Sequence, residues 1–272
     1  MNTLQAAVMG LVQGVTEFLP VSSTAHLRIV PALAGWDDAG SAFTAVLQLG
    51  TLAAVIGYFL GELLRMVRAS LRALQDPARR NDPDARHLLY LIVGTIPIGV
   101  AGLLLRHAVE GAFRSLWVIA VALIVVALAL IWVERRASGN RRIFDDLTMR
   151  DALIVGCAQT LALVPGVSRS GITLLAAMAL GMRRDAAARF SFLLSVPAVA
   201  AAGIFELPKI MRAPGIGGAP LAIGLAVAAV SGYASIAWLL KFLRTRSTLP
   251  FVVYRVALGL LMIALLALGR LS

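Results

Sequence analysis

GLVQGVTEFLPVSSTAH, residues 10–26, is an apolar run broken at Leu19-Pro20, with polar side chains crowded round the break. Proline removes a backbone donor and disfavours helix at the residue before it. The longer apolar stretch 4–34 therefore reads as helix, interruption, helix. A second stretch, 151–181, is broken in the same way at Val164-Pro165-Gly166, within GCAQTLALVPGVSRS (156–170). A break at membrane depth is tolerated only where protein or a water-filled cavity covers it. Both stretches are expected to be re-entrant helical hairpins, each entering and leaving on one side.

The two breaks correspond. Gln13 and Gln159 are offset by 146, and Pro20 and Pro165 by 145. The spans that follow match at an offset of 147, with Phe43, Gln48, Gly50 and Ala53 against Phe190, Ser195, Pro197 and Ala200. Each half is then one hairpin plus three spans, and an odd number of spans turns the second copy upside down. The expected plan is an inverted repeat, approximately 1–136 and 150–271, within a single integral membrane domain, 1–272.

Composition agrees. The 272 residues are 60% hydrophobic and 14% charged, against about 45–50% and about 25% in soluble domains. Six further stretches approach the roughly 20 apolar residues that a span needs, at 41–65, 87–106, 115–134, 186–207, 219–243 and 250–270. The expected fold is an all-α polytopic membrane helix bundle, with six transmembrane helices plus two re-entrant helical hairpins. The net charge of +11 points to a membrane surface and not to nucleic acid, because the arginines lie between apolar runs. One face collects 17 of them and lysines, in 65–86, 135–150, 183–189 and 241–246. The other collects five: Arg106, Arg114, Lys209, Arg212 and Arg270. The positive-inside rule makes the first face cytoplasmic. The first hairpin then opens to the outer face and the second enters from the cytoplasm. Residues 66–86 read as a plain connector. Cys157, the single cysteine, makes no intrachain disulfide. The N-terminus lacks the basic region of a removable signal peptide.

The ionisable residues left inside apolar segments are the functional candidates, since burying them in lipid is costly. Gln13 and Glu17 are spaced i, i+4 on one helix face and can address one ligand or ion. Ser22, Ser23 and Thr24 open the helix after the break, where unpaired N–H groups suit phosphate; the same residues also suit a plain N-cap. His26 lies one turn further on, spaced to approach the Ser23 hydroxyl. The second hairpin offers Gly166 for close backbone approach, Ser168 and Ser170 as hydroxyl donors, Arg169 as a two-bond phosphate clamp, and Thr173. If the hairpins meet, a base, a hydroxyl nucleophile, an acid/base histidine and a guanidinium converge, a set that suits phosphoryl transfer. Arg255, five residues into the last span, is expected to snorkel to the cytoplasmic surface.

At these residues the chain resembles the undecaprenyl-diphosphate phosphatase family linked to bacitracin resistance. QGVTEFLPVSSTAH (13–26) is similar to the family's (E/Q)xxxE motif with its serine-rich turn and histidine, and PGVSRSGIT (165–173) to its PGxSRSxxT motif; SGYASIAWLLKF (231–242) and YRVALG (254–259) resemble further family segments. The resemblance spans nearly the whole chain. It implies a bacterial inner-membrane enzyme with a periplasm-facing site, which recycles the lipid carrier for peptidoglycan and confers bacitracin resistance. It also implies a divalent cation, magnesium or calcium, as cofactor. Glu17 is the candidate metal ligand; Gln13, an amide where the motif also admits an acid, is the weaker one. Expected partners are a polyprenyl diphosphate and membrane lipids, with a homodimer left open. Whether Ser23 or His26 is the nucleophile is open at this level. The competing reading is a lipid transporter or flippase on the same fold.

Overall fold

In the computed structural model the chain is almost wholly helical, and it is described here apart from residues 38–39, 112, 114, 213–217 and 271–272. Arg114, one of the five basic residues expected outside, lies outside the described residues. The helices are α1 Thr3–Phe18, α2 Ser23–Ala34, α3 Gly40–Tyr58, α4 Leu60–Gln75, α5 Pro83–Leu104 and α6 Arg106–Glu110. They continue as α7 Leu116–Arg136, α8 Met149–Gln159, α9 Arg169–Ala179, α10 Arg184–Arg212, α11 Gly218–Leu243 and α12 Leu249–Ala267. Among the described residues there is no strand, only an isolated bridge between Arg142 and Met182. Five helices, α5, α7, α10, α11 and α12, are long and apolar enough to cross a membrane, and α3 with α4 makes a sixth candidate. The chain is a polytopic all-α membrane bundle.

The arms beside the two breaks cannot cross alone. α2 has 12 residues, and α8 and α9 have 11 each, or about half the hydrocarbon thickness at 1.5 Å per residue. α1 folds back on α2, and α8 on α9. The second hairpin is pinned at its two ends by one side chain. Arg142 holds Asp151, at the entrance of α8, through two hydrogen bonds of 2.6 and 3.1 Å, and donates to the Leu180 carbonyl, at the exit of α9, at 2.9 Å. Burial acts to raise the Asp151 carboxyl pKa, but hydrogen bonds from Arg142 and Thr148 outweigh it and hold the group below its usual value. Asn140 adds bonds to the carbonyls of Met178 and Met182.

The stretch 41–65 is not one straight span. α3 ends at Tyr58, and the axis of α4 lies at 77° to it. Nor are residues 66–86 a plain connector, for 66–75 belong to α4. The reason lies in the pattern of α4. Leu60, Leu64, Val67, Leu71 and Leu74 form one exposed apolar stripe, Arg65, Arg68 and Arg72 a polar one, and Met66 and Ala69 are buried. Such a helix lies in the interface rather than across it. Its Glu62 is paired with Arg189 of α10 at 2.8 Å, which fixes the bend to the bundle.

The packing falls into two matched sets. α1 lies on α11, as α8 lies on α5; α11 lies on α3, as α5 lies on α10. Small residues allow these approaches, as they do between helices in membranes. A Cβ on Gly10 would strike the backbone of Gly224 in α11, and one on Gly156 would strike the backbone of Gly94 in α5. Each broken segment is therefore seated on a helix of the other half.

Candidate active site

The breaks have the same backbone. Ser22 and Ser168 are the two non-glycine residues with positive φ among the described residues, at 74° and 73°. Each is an N-cap whose hydroxyl oxygen accepts from the N–H three residues on, Ala25 and Gly171. Such a conformation is costly for a residue with a Cβ and persists only where its surroundings determine it.

Those surroundings are the other break. The Ser170 hydroxyl donates to the Leu19 carbonyl at 3.1 Å, and the Gly166 N–H donates to Thr24 Oγ1 at 3.4 Å. Arg255 joins both. It is fully buried and does not snorkel. Its guanidinium donates to Pro20 O at 3.1 Å, to Gly166 O at 2.9 Å, to Val167 O at 3.1 Å, and to the carbonyls of Leu123 and Ala122 in α7. A break leaves carbonyls that lipid cannot satisfy, and Arg255 supplies the donors. Gly166 itself approaches α7: its φ is 95°, and a Cβ there would press on the Ile119 backbone. The close approach expected of it toward phosphate is toward a helix instead.

Glu17 is the centre of the cluster so assembled. It is buried, with 5% of its surface exposed. Oε1 accepts from Arg169 Nη2 at 2.7 Å, across 152 residues of sequence; Oε2 accepts from Gln13 Nε2 at 2.8 Å and from the Ser23 hydroxyl at 2.5 Å. The expected convergence of Gln13, Glu17, Ser23 and Arg169 is present. An ion pair in low dielectric is held only where its remaining valences are satisfied, and here Gln13 and Ser23 meet that need for the carboxylate. The Gln13 Oε1 atom is buried and has no hydrogen-bond partner among the described residues.

His26 stands otherwise than its spacing suggests. Its Nδ1 lies 2.7 Å from the Ser22 carbonyl and its Nε2 2.6 Å from the Tyr254 hydroxyl. The group bonded to the Ser23 hydroxyl is Glu17. Ser22 and Thr24 bond each other at 3.1 Å, as do Ser168 and Ser170. Thr173 is fully buried, donates to the Arg169 carbonyl at 2.7 Å and, with its one hydrogen so used, accepts from the Ser191 hydroxyl of α10 at 2.6 Å. Arg255 was legible as an ionisable residue inside a span but was placed at the surface; Tyr254 and Ser191 were not read as members of this network, and the signal for Tyr254 was that it opens YRVALG, one of the segments of family likeness.

The comparisons with known proteins bear on this geometry. Residues 6–261 match the family described as "Bacitracin resistance protein BacA". This chain belongs to that family. A Myxococcus xanthus protein named "Undecaprenyl-diphosphatase" is 52% identical over the whole of this chain and 92% of its own length. "Undecaprenyl-diphosphatase 2" of Frankia casuarinae is 50% identical, covering all of this chain and 97% of its own. The Chloroherpeton thalassium "Undecaprenyl-diphosphatase" is 47% identical, covering all of this chain and 99% of its own. As a BacA-family chain, it places the two motif regions on facing breaks, joined at Glu17 and Arg169.

Proposed function

We propose that this protein is a membrane phosphatase that hydrolyses undecaprenyl diphosphate to undecaprenyl phosphate and inorganic phosphate. The observation that carries the reading is the contact of the Ser23 hydroxyl with the Glu17 carboxylate, beside the Arg169 guanidinium. A serine hydroxyl is a poor nucleophile until a neighbour takes its proton. Glu17 takes it as Ser23 Oγ attacks the terminal phosphorus. The bond from that phosphorus to the bridging oxygen breaks, and the lipid monophosphate leaves. Water then attacks the phosphoserine; Ser23 Oγ departs and recovers its proton from Glu17, and the water's hydrogens leave with phosphate. Arg169 and the N-terminal N–H groups of α2 and α9 stabilise charge on the transferred group.

A divalent cation, magnesium or calcium, is part of this reading. The unpartnered Gln13 Oε1, the Glu17 carboxylate and the Ser23 hydroxyl are hard oxygen donors, the kind such cations take. Among the described residues no group of three or more His, Cys, Asp or Glu side chains is placed to hold a metal, so diphosphate oxygens would complete the shell. The cation would supply charge neutralisation on the diphosphate. The matched packing sets and the twin serine caps support reading the chain as an inverted repeat with its two hairpins meeting inside the membrane. The arginine bias supports an orientation with the basic face cytoplasmic and the site open to the opposite side; the likeness to the BacA family and its undecaprenyl-diphosphatases supports the bacterial inner membrane, a periplasm-facing site and a role in recycling the lipid carrier for peptidoglycan, hence bacitracin resistance. A cysteine placed at 78–81 or at 137–140, in a Cys157→Ser background, is then expected to resist an impermeant thiol reagent in intact cells; ready labelling would reverse the orientation.

Phosphate release by the purified protein in detergent tests the function itself. With no membrane separating two sides, a phosphatase releases phosphate from undecaprenyl diphosphate. A lipid transporter releases none.

A further inference from the structure

The Tyr254 ring lies near-parallel to His26, with centroids 5.6 Å apart and planes 8° from parallel, and its hydroxyl meets the imidazole edge. The imidazole lies between two oxygens: the Tyr254 hydroxyl at Nε2 and the Ser22 carbonyl at Nδ1. A carbonyl only accepts, so Nδ1 carries the hydrogen. In the neutral ring Nε2 is then the acceptor, and the phenol donates to it. The Ser22 carbonyl belongs to the peptide that joins Ser22 to Ser23. The chain of contacts thus runs from Tyr254, through the imidazole, to the peptide plane from which the Ser23 side chain springs, and on to Glu17.

The second break shows what the ring is not for. Ser168 has the same positive φ as Ser22. Its carbonyl accepts the Ile172 N–H at 2.9 Å, and Ile172 stands where His26 stands, offset by 146. The strained cap forms there without an imidazole. The ring is present only at the break whose next residue points a hydroxyl at a carboxylate. Arg255, adjacent to Tyr254, ties α12 to carbonyls of both breaks, so the phenol is delivered in a fixed register.

We propose that Tyr254 is a positioning residue of the phosphatase: through His26 it pins the Ser22–Ser23 peptide, holds the Ser23 hydroxyl on Glu17 and keeps His26 Nε2 from acting as a nucleophile. This rests on the reading of Ser23 as the attacking group. Tyr254→Phe keeps the ring and removes the hydroxyl. Loss of one such hydrogen bond predicts about a 10-fold lower kcat, with KM nearly unchanged. In a His26→Gln background the same change should cost less than about 2-fold, because coupled residues are not additive. The 15N histidine spectrum gives an independent readout, with the His26 signal identified by its loss in His26→Gln. The wild-type protein should show a single tautomer protonated at Nδ1, and Tyr254→Phe the same tautomer with its Nε2 resonance displaced, because that nitrogen has lost its hydrogen-bond donor while the Ser22 carbonyl still holds the hydrogen on Nδ1. An unchanged His26 signal in Tyr254→Phe, or a full 10-fold loss repeated in the His26→Gln background, would overturn the proposal. A wild-type protein that released no phosphate would instead remove the phosphatase reading, while the spectrum would still decide the coupling of Tyr254 to His26.

Discussion

The two breaks share a backbone and differ in what they carry. At the first, the residues before and after the turn are Gln13, Glu17 and Ser23; at the second, the corresponding positions hold Gln159, Leu163 and Arg169. One break is an acid with a hydroxyl, the other a cation. Neither half holds a complete site. A carboxylate buried at Glu17 without Arg169 would be an unpaired charge in low dielectric, and such a group is costly. The breaks need each other for stability, and Arg255 bonds to both. Two segments of like backbone bring opposite charges to one point.

That comparison fails most visibly if Glu17 is dispensable. Glu17→Gln removes the carboxylate that accepts the Ser23 hydrogen bond and the counter-charge of Arg169. Proton transfer of this kind contributes about 100–10,000-fold, and phosphate release should fall by at least the upper part of that range. Near-normal turnover would mean that the Ser23 contact is incidental. On the other side of the pair, Arg169→Lys keeps charge but not the planar two-bond grip. Turnover should fall about 100–1,000-fold, or roughly 2.7–4 kcal/mol, the range seen for a lost oxyanion donor. A lysine variant with full activity would make Arg169 a structural partner of Glu17 only.

Arg255→Met tests the tie between the breaks. It uncovers carbonyls at Pro20, Gly166 and Val167, each costing about 1–3 kcal/mol if left without a donor. The expected outcome is a loss of at least about 3 kcal/mol, read as a lower thermal midpoint in detergent. An unshifted midpoint would show that the breaks hold their shape without it.

The smallest effect is expected at Gln159. It is fully buried, and neither amide atom has a hydrogen-bond partner among the described residues. Its counterpart Gln13 donates to Glu17, whereas the residue one turn after Gln159 is Leu163. Gln159→Leu should therefore be neutral or stabilising by about 1 kcal/mol, while Gln13→Leu lowers activity. Equal damage from both would break the asymmetry drawn here.

Much of this was legible in the sequence, for physical reasons particular to lipid. A proline and a cluster of serines inside an apolar run have few explanations there, so both hairpins and the meeting of Glu17 with Arg169 could be read from the order of residues. The bend after Tyr58 could not, because 41–61 is mostly apolar and runs on through Tyr58 without a proline or a charge; only the spacing of Arg65, Arg68 and Arg72 hints that α4 turns along the surface. Arg255 was misread since its depth in the span fits snorkelling as well as burial; its acceptors are carbonyls of breaks more than 80 residues away. His26 was given to Ser23 by helical spacing, but its partner Tyr254 lies 228 residues along the chain. Local spacing says which side chains can meet, not which distant group has already claimed them.

The central claim is that Ser23, with Glu17 as its base, attacks the phosphorus while His26 is held aside. The most direct test uses undecaprenyl diphosphate labelled in its terminal phosphate, a rapid quench, and location of the label on the protein. Label is expected on Ser23, lost in Ser23→Ala together with turnover. Label on His26 would contradict it, as would substantial turnover by Ser23→Ala.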